Sequence, residues 1–175
     1  KNVAVFSYPL THNVECFGYK IVFKKQKGSL NANKLKELGI MPGPFYKEIK
    51  EADTFEYNGT VYNSSEFLSE DKPEKEISII PDTRYFDGLR EFVKNSNVII
   101  SECTYLLKED AHHARKNYHL SILDIEKIIS QSKVENLYLT HISARYDRNI
   151  EKEAIESLRD KCNVKIAHDL EEYSL

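Results

Sequence analysis

The 175-residue chain has few cysteines, no long apolar run and no overall excess of positive charge. Its three cysteines, Cys16, Cys103 and Cys162, are odd in number and far apart, and no two form a Cys-x-x-Cys pair. That pattern excludes a disulfide framework and a thiolate zinc site. It suits a reducing, cytoplasmic setting in which all three serve as small core residues. No apolar stretch approaches the roughly 18 residues of a membrane-spanning helix, so an apolar transmembrane helix is excluded. Internal repeats and low-complexity segments are also missing. With 41% hydrophobic and 30% charged residues, the remainder reads as one ordinary globular domain. The chain opens on Lys1 rather than Met, inside the apolar stretch Val3-Ala4-Val5-Phe6, as expected of a segment cut from a longer protein.

A net charge of −3 argues by itself against a nucleic-acid binder, but its distribution points the other way. From Lys20 to Lys50 the lysines are Lys20, Lys24, Lys25, Lys27, Lys34, Lys36, Lys47 and Lys50, against Glu37 and Glu48. The segment is therefore +6 and the rest of the chain −9. Such asymmetry is the footprint of an element that meets a polyanion, although lysines scattered over a solvated surface give the same count.

Residues 2–8 and Phe17–Phe23 read as strands, joined by a polar connection holding His12. Asn31 to Leu38 reads as a short helix with an asparagine at its N-cap and Gly39 past its end. Met41-Pro42-Gly43-Pro44 can be neither helix nor central strand. Asn58-Gly59, between two short alternating runs, signals a hairpin, and residues 69–76 read as a charged linker. Beyond it, apolar runs at 77–80, 97–100, 136–140 and 163–167 alternate with helical patterns. Phe86, Leu89, Phe92 and Val93 share one face; Ile122, Ile125, Ile128 and Ile129 share another; Ile150, Ala154, Ile155 and Leu158 a third. The alternation predicts an α/β layer with helices packed on a sheet.

Several polar residues fall where a predicted strand has just ended: Asp82-Thr83-Arg84, Glu102 and His141. In α/β sheets, ligands and catalytic groups collect at those ends. His12, His141 and Asp82 form the nitrogen–carboxylate donor set that catalytic zinc takes, with room for a bound water. Each also has a structural reading, since Asp82 can cap the helix of Phe86 and Leu89, and Ser101 and Glu102 can be turn residues. His112 and His113 lie in a charged helical run and read as surface residues, as does His168. His119 ends that run.

These motifs resemble those of ribonuclease Z, the metallo-β-lactamase-type endonuclease that removes 3′ trailers from tRNA precursors. Thr11-His12-Asn13-Val14-Glu15-Cys16-Phe17-Gly18-Tyr19 is similar to the family's third metal motif, a histidine shortly before Phe-Gly-Tyr. Asp82-Thr83-Arg84 is similar to its Gly-Asp-Thr-Arg, and Thr140-His141-Ile142-Ser143-Ala144-Arg145-Tyr146 to its last metal motif. Gly28-Ser29-Leu30 through Gly39-Ile40-Met41-Pro42-Gly43-Pro44 resembles the protruding arm that grips tRNA.

The resemblance implies residues 1–175 as the C-terminal part of a metallo-β-lactamase αββα sandwich, with residues 24–68 as the inserted arm. It implies His12, Asp82 and His141 as ligands to zinc, two ions in the complete enzyme. His119 is implied as the group facing the scissile phosphate, oriented by Glu102. Lys24, Lys25, Lys27, Lys34, Gly43, Pro44, Lys47, Thr83, Arg84, Ser143 and Arg145 are implied as substrate contacts, with precursor tRNA as partner and a homodimer as assembly. The chain departs from the family in Pro81 for glycine, Ser101-Glu102-Cys103-Thr104 for His-Glu-Ala-Thr, and His119-Leu120-Ser121 for His-Ser-Thr. The His-x-His-x-Asp-His motif, which supplies most ligands of one metal, has no equivalent in the sequence. The fragment alone is therefore expected to hold a partial or empty site and to be inactive. Two other readings stand beside this one: a non-catalytic tRNA-binding chain, and a related metallo-hydrolase of small phosphodiesters.

Overall fold

The structure is a computed structural model that describes residues 2–173. It divides into two compact units, Val3–Phe23 with the chain from Lys75 onward, and Lys24–Glu74. Among the described residues no helix is long and apolar enough to cross a membrane.

The larger unit is built on a six-stranded sheet. Its strands are β1 (Val3–Pro9), β2 (Phe17–Phe23), β5 (Lys75–Ile80), β6 (Val98–Glu102), β7 (Asn136–Thr140) and β8 (Asn163–Ile166), adjacent in that order. β1 and β5 both run antiparallel to β2, so β1 runs the same way as β5. β5 to β8 are all parallel, as the βα alternation requires. The ends of β1, β5, β6 and β7 therefore share one edge of the sheet. Gly18 in β2 permits close packing there, since a Cβ would stand 3.0 Å from the Ile79 carbonyl oxygen and 3.3 Å from the Phe92 ring.

The period-2 alternation of each strand sorts its side chains onto two faces. Ile80, Ile99, Leu137, Leu139, Val164 and Ile166 point to the main core. There they meet α3 (Gly88–Val93), α5 (Ile122–Ile129) and α6 (Arg148–Glu156) through Leu89, Phe92, Val93, Ile125, Ile129 and Ala154. Ile77, Val98 and Tyr138 point the other way, with Ile21, Phe23, Ile79 and Ile100 only partly buried around them. Among the described residues no helix packs on that side, and Val3 and Val5 are 45% and 61% exposed. The larger unit thus forms one sheet whose described helices pack on one face.

The smaller unit holds α1 (Ala32–Glu37), α2 (Phe45–Glu51) and the hairpin β3 (Thr54–Tyr57)–β4 (Thr60–Asn63), turned at Asn58-Gly59 with both residues at positive φ. Asn31 caps α1 by accepting from the Lys34 amide. Pro44 stands at the N-cap of α2, so the Pro-Gly-Pro stretch delivers the chain into a helix. Leu35, Ile40, Ile49, Phe55 and Phe67 make a separate small core.

Candidate metal centre

The polar residues of the shared sheet edge converge. Ligand atoms of Asp82, His119 and His141 all lie within 4.8 Å of one another. Asp82 follows β5 and His141 follows β7 at φ 55°, an uncommon conformation for a residue with a side chain. Asp82 is not the cap of α3, whose N-cap is Asp87. Its carboxylate instead stands 3.7 Å from His141 Nδ1.

His119 is set by the end of α4 (Ala111–Lys116). The His119 amide donates back to the Ala114 carbonyl across Tyr118, which takes φ 60°, a left-handed helix stop of the kind glycine usually makes. That turn aims the Tyr118 carbonyl at His12 Nδ1, 2.9 Å away. It also places the Tyr118 ring 5.0 Å beneath the Arg84 guanidinium. The His12 and His119 rings are 5.4 Å apart, and those of His119 and His141 stack at 5.1 Å. His12 thus borders the cluster from the β1–β2 connection but stands outside the tight group of three.

Behind the histidines lies Glu102, 1% exposed. Its Oε1 accepts from the amides of Thr83 (3.2 Å) and Leu120 (2.9 Å) and from His119 Nδ1 (3.2 Å). Its Oε2 accepts from the Thr104 amide (3.0 Å) and hydroxyl (2.9 Å). Burial pushes its carboxyl above the usual range, while those amides and His119 pull it back. Five donors around two oxygens suit the anion.

The donor set fits a divalent cation such as zinc. A metal-bound histidine holds its other ring nitrogen on a carboxylate, a carbonyl or a similar acceptor. Here the Nδ1 atoms of His12, His119 and His141 lie on the Tyr118 carbonyl, Glu102 and the Thr104 hydroxyl (2.8 Å). Each Nε2 is left without a hydrogen bond among the described residues. Thr104 was not among the residues singled out from sequence; its place two positions after Glu102 is the signal that was available.

No family model matches the sequence. Ribonuclease Z of Bacillus thuringiensis (strain Al Hakam), like those of Bacillus cereus (strain G9842) and Bacillus anthracis, is 36% identical over 166 residues, covering 94% of this chain and 54% of the relative. The chain is homologous to part of ribonuclease Z. It spans about half the length of the curated relatives it matches. The metallo-β-lactamase fold protein YhfI of Bacillus subtilis superposes at TM-score 0.55 and 16% identity, over 95% of this chain and 48% of that one. The short form of human tRNase Z does so at 0.51 and 14%, over 98% and 41%. The fold is thus about half of a metallo-β-lactamase domain.

The other expected contact residues divide sharply. Thr83, expected as a substrate contact, is fully buried. Its hydroxyl accepts from the Thr11 amide (3.0 Å) and lies near the carbonyls of Thr11 (3.2 Å) and Arg84 (3.0 Å), so it ties two loops together. Arg84 and Arg145 are exposed. Arg145 lies over Tyr105 at 5.0 Å and donates to Ser143 Oγ at 3.2 Å. The Ser121 hydroxyl is committed to Asp124 in the capping box of α5, leaving none for a ligand in the His119-Leu120-Ser121 stretch.

In the smaller unit Lys25 pairs with Asp71 (3.1 Å) and Lys47 with Glu51 (3.9 Å). Lys27 and Lys34 donate to the carbonyls of Glu51 and Glu66. Lys20 belongs to β2 and pairs with Glu76. Counted over Lys24–Glu74, eight lysines meet nine carboxylates. The basic excess seen between Lys20 and Lys50 is thus confined to that stretch of sequence and does not extend to the folded unit. Of the cysteines Cys103 is buried in the main core and the half-buried Cys162 packs against it, whereas Cys16 is half-buried and lies outside that cluster.

Proposed function

We propose that the chain supplies the C-terminal half of a zinc-dependent endoribonuclease that hydrolyses the phosphodiester before the 3′ trailer of precursor tRNA. The convergence of Asp82, His119 and His141 at one sheet edge, in a homologue of ribonuclease Z, carries this reading. Asp82 and His141, joined by His12, would hold metal, and bound zinc supplies a water of pKa near ~7 and charge neutralisation at the phosphate. His119, oriented by Glu102, donates a proton to the leaving oxygen. The exposed Arg84 and Arg145, with unpaired lysines of residues 24–50, meet substrate phosphates. The remaining ligands belong to a partner motif outside this sequence, and a homodimer is the working assembly.

In the intact protein, His119→Ala is expected to slow cleavage of a precursor tRNA by roughly 10²–10⁴-fold while retaining bound zinc. Asp82→Ala is expected to lose zinc and activity together. Equal zinc loss in both variants would make His119 a ligand and refute its role as proton donor. Robust zinc-dependent cleavage by residues 1–175 alone would refute the half-site. The near balance of charge in the smaller unit favours one second reading, hydrolysis of small phosphodiesters. Removing residues 24–50 separates the two: the tRNA reading requires loss of tRNA binding with hydrolysis of a small chromogenic phosphodiester spared.

A further inference from the structure

The buried carboxylate behind the site reaches two of its histidines, one directly and one through a hydroxyl. Glu102 Oε1 takes the His119 Nδ1 contact at 3.2 Å, while Oε2 takes both the amide and the hydroxyl of Thr104, at 3.0 and 2.9 Å. The same hydroxyl oxygen lies 2.8 Å from His141 Nδ1. The Asp82 carboxylate, at 3.7 Å from that nitrogen, is beyond hydrogen-bonding distance.

A hydroxyl has one proton to give. Donation to a carboxylate is roughly twice as strong as donation to a neutral acceptor, so the Thr104 proton goes to Glu102. The Thr104 oxygen is then left as an acceptor only, and His141 Nδ1 must carry the hydrogen of their shared bond. The β-branch of threonine restricts χ1, and the amide bond to the same Oε2 holds the backbone, so the hydroxyl has little freedom to point elsewhere.

We infer that Thr104 is a positioning residue: it transmits the polarity of Glu102 to His141, fixing the Nδ1–H tautomer and leaving Nε2 free to act. One buried carboxylate thereby sets the ring nitrogens of both His119 and His141. The inference rests on the metal-centre reading only for the consequence on zinc binding; the tautomer itself stands on the hydrogen bonds.

The test uses the intact protein with ¹⁵N-labelled histidine, stripped of metal, at a pH where the imidazoles are neutral. Long-range ¹H–¹⁵N correlation reads each tautomer. His141 is expected to show a protonated Nδ1 and a bare Nε2 in the native protein and in Thr104→Ser, which keeps the hydroxyl. Thr104→Val is expected to give a mixture of tautomers at His141 with His119 unchanged, and roughly 10–100-fold weaker zinc binding by chelator competition. A native His141 carrying its hydrogen on Nε2 overturns the inference, whether or not the valine variant folds. So does a folded Thr104→Val with native tautomer and native zinc affinity. Native protein that shows the tautomer but binds no zinc refutes the metal centre and leaves the positioning role standing.

Discussion

Replacing Glu102 by glutamine keeps its shape and removes its charge, which makes it a direct measure of what the buried carboxylate contributes. The side chain is 1% exposed and accepts five hydrogen bonds, three at Oε1 and two at Oε2. A glutamine can match at most one of those oxygens. Its best orientation keeps the carbonyl at the Oε1 position and turns the NH₂ toward Thr104, whose amide then faces another donor. A buried unsatisfied donor costs about 1–3 kcal/mol, and each of the three bonds that remain at the Oε1 position weakens by about 1 kcal/mol once the acceptor is neutral. Against this, a charge no longer has to be buried, which returns a few kcal/mol and is the same desolvation that raises the Glu102 pKa. The net expectation is a loss of about 3 kcal/mol, a sizeable fraction of the ~5–15 kcal/mol that holds a domain folded. Urea unfolding of the intact protein should show the midpoint falling with m unchanged. A change below ~1 kcal/mol, or a gain, would show that the five bonds are not made together and would refute the hub described for Glu102.

Three other outcomes follow from separate features. At Gly28 a Cβ would stand 1.8 Å from the Ser69 carbonyl oxygen, backbone against backbone. Gly28→Ala should therefore destabilise the smaller unit by about 2 kcal/mol, read as faster exchange of the Ser69 and Lys72 amides with the Ile99 amide unaffected. Burial and the Asp110 carboxylate, 2.6 Å away, push the Tyr146 hydroxyl up to about 12. Because the folded state holds this proton more tightly than the unfolded chain, its contribution is complete below pH ~10 and is lost as pH rises toward ~12. Phenolate absorbance should show a late-titrating tyrosine that disappears in Tyr146→Phe. Lys24 and Lys36 are exposed and make no ion pair among the described residues, so the proposed function requires each alanine replacement to lower the salt-dependence slope of tRNA binding by about one. The paired Lys25 should lower it less.

The large unit was legible because its signals are local. β2, α5 and β7 run over the residues that their apolar patterns predict, Phe17–Phe23, Ile122–Ile129 and Asn136–Thr140. The stretch 69–76, read as linker, gives way to strand at Lys75 because pairing with Phe23 extends β5 into polar sequence. Asp82 and His141 were found as strand-end residues. The role of Thr104 was not, since it depends on a contact between residues 37 apart in the chain. The pairing of individual lysines was hidden for the same reason. Lys20 and Lys25 find their carboxylates at Glu76 and Asp71, outside any short window.

Phe23 and Lys75 face each other as the last pair of the β2–β5 ladder. Everything between them is, topologically, the loop of a hairpin, whatever its size. Closing such a loop costs only about 0.6 kcal/mol more for each doubling of its length. Lineages can therefore lengthen, shorten or exchange this insert with little penalty to the sheet. An insert from one homologue should therefore graft onto the sheet of another through a single pair of splice points.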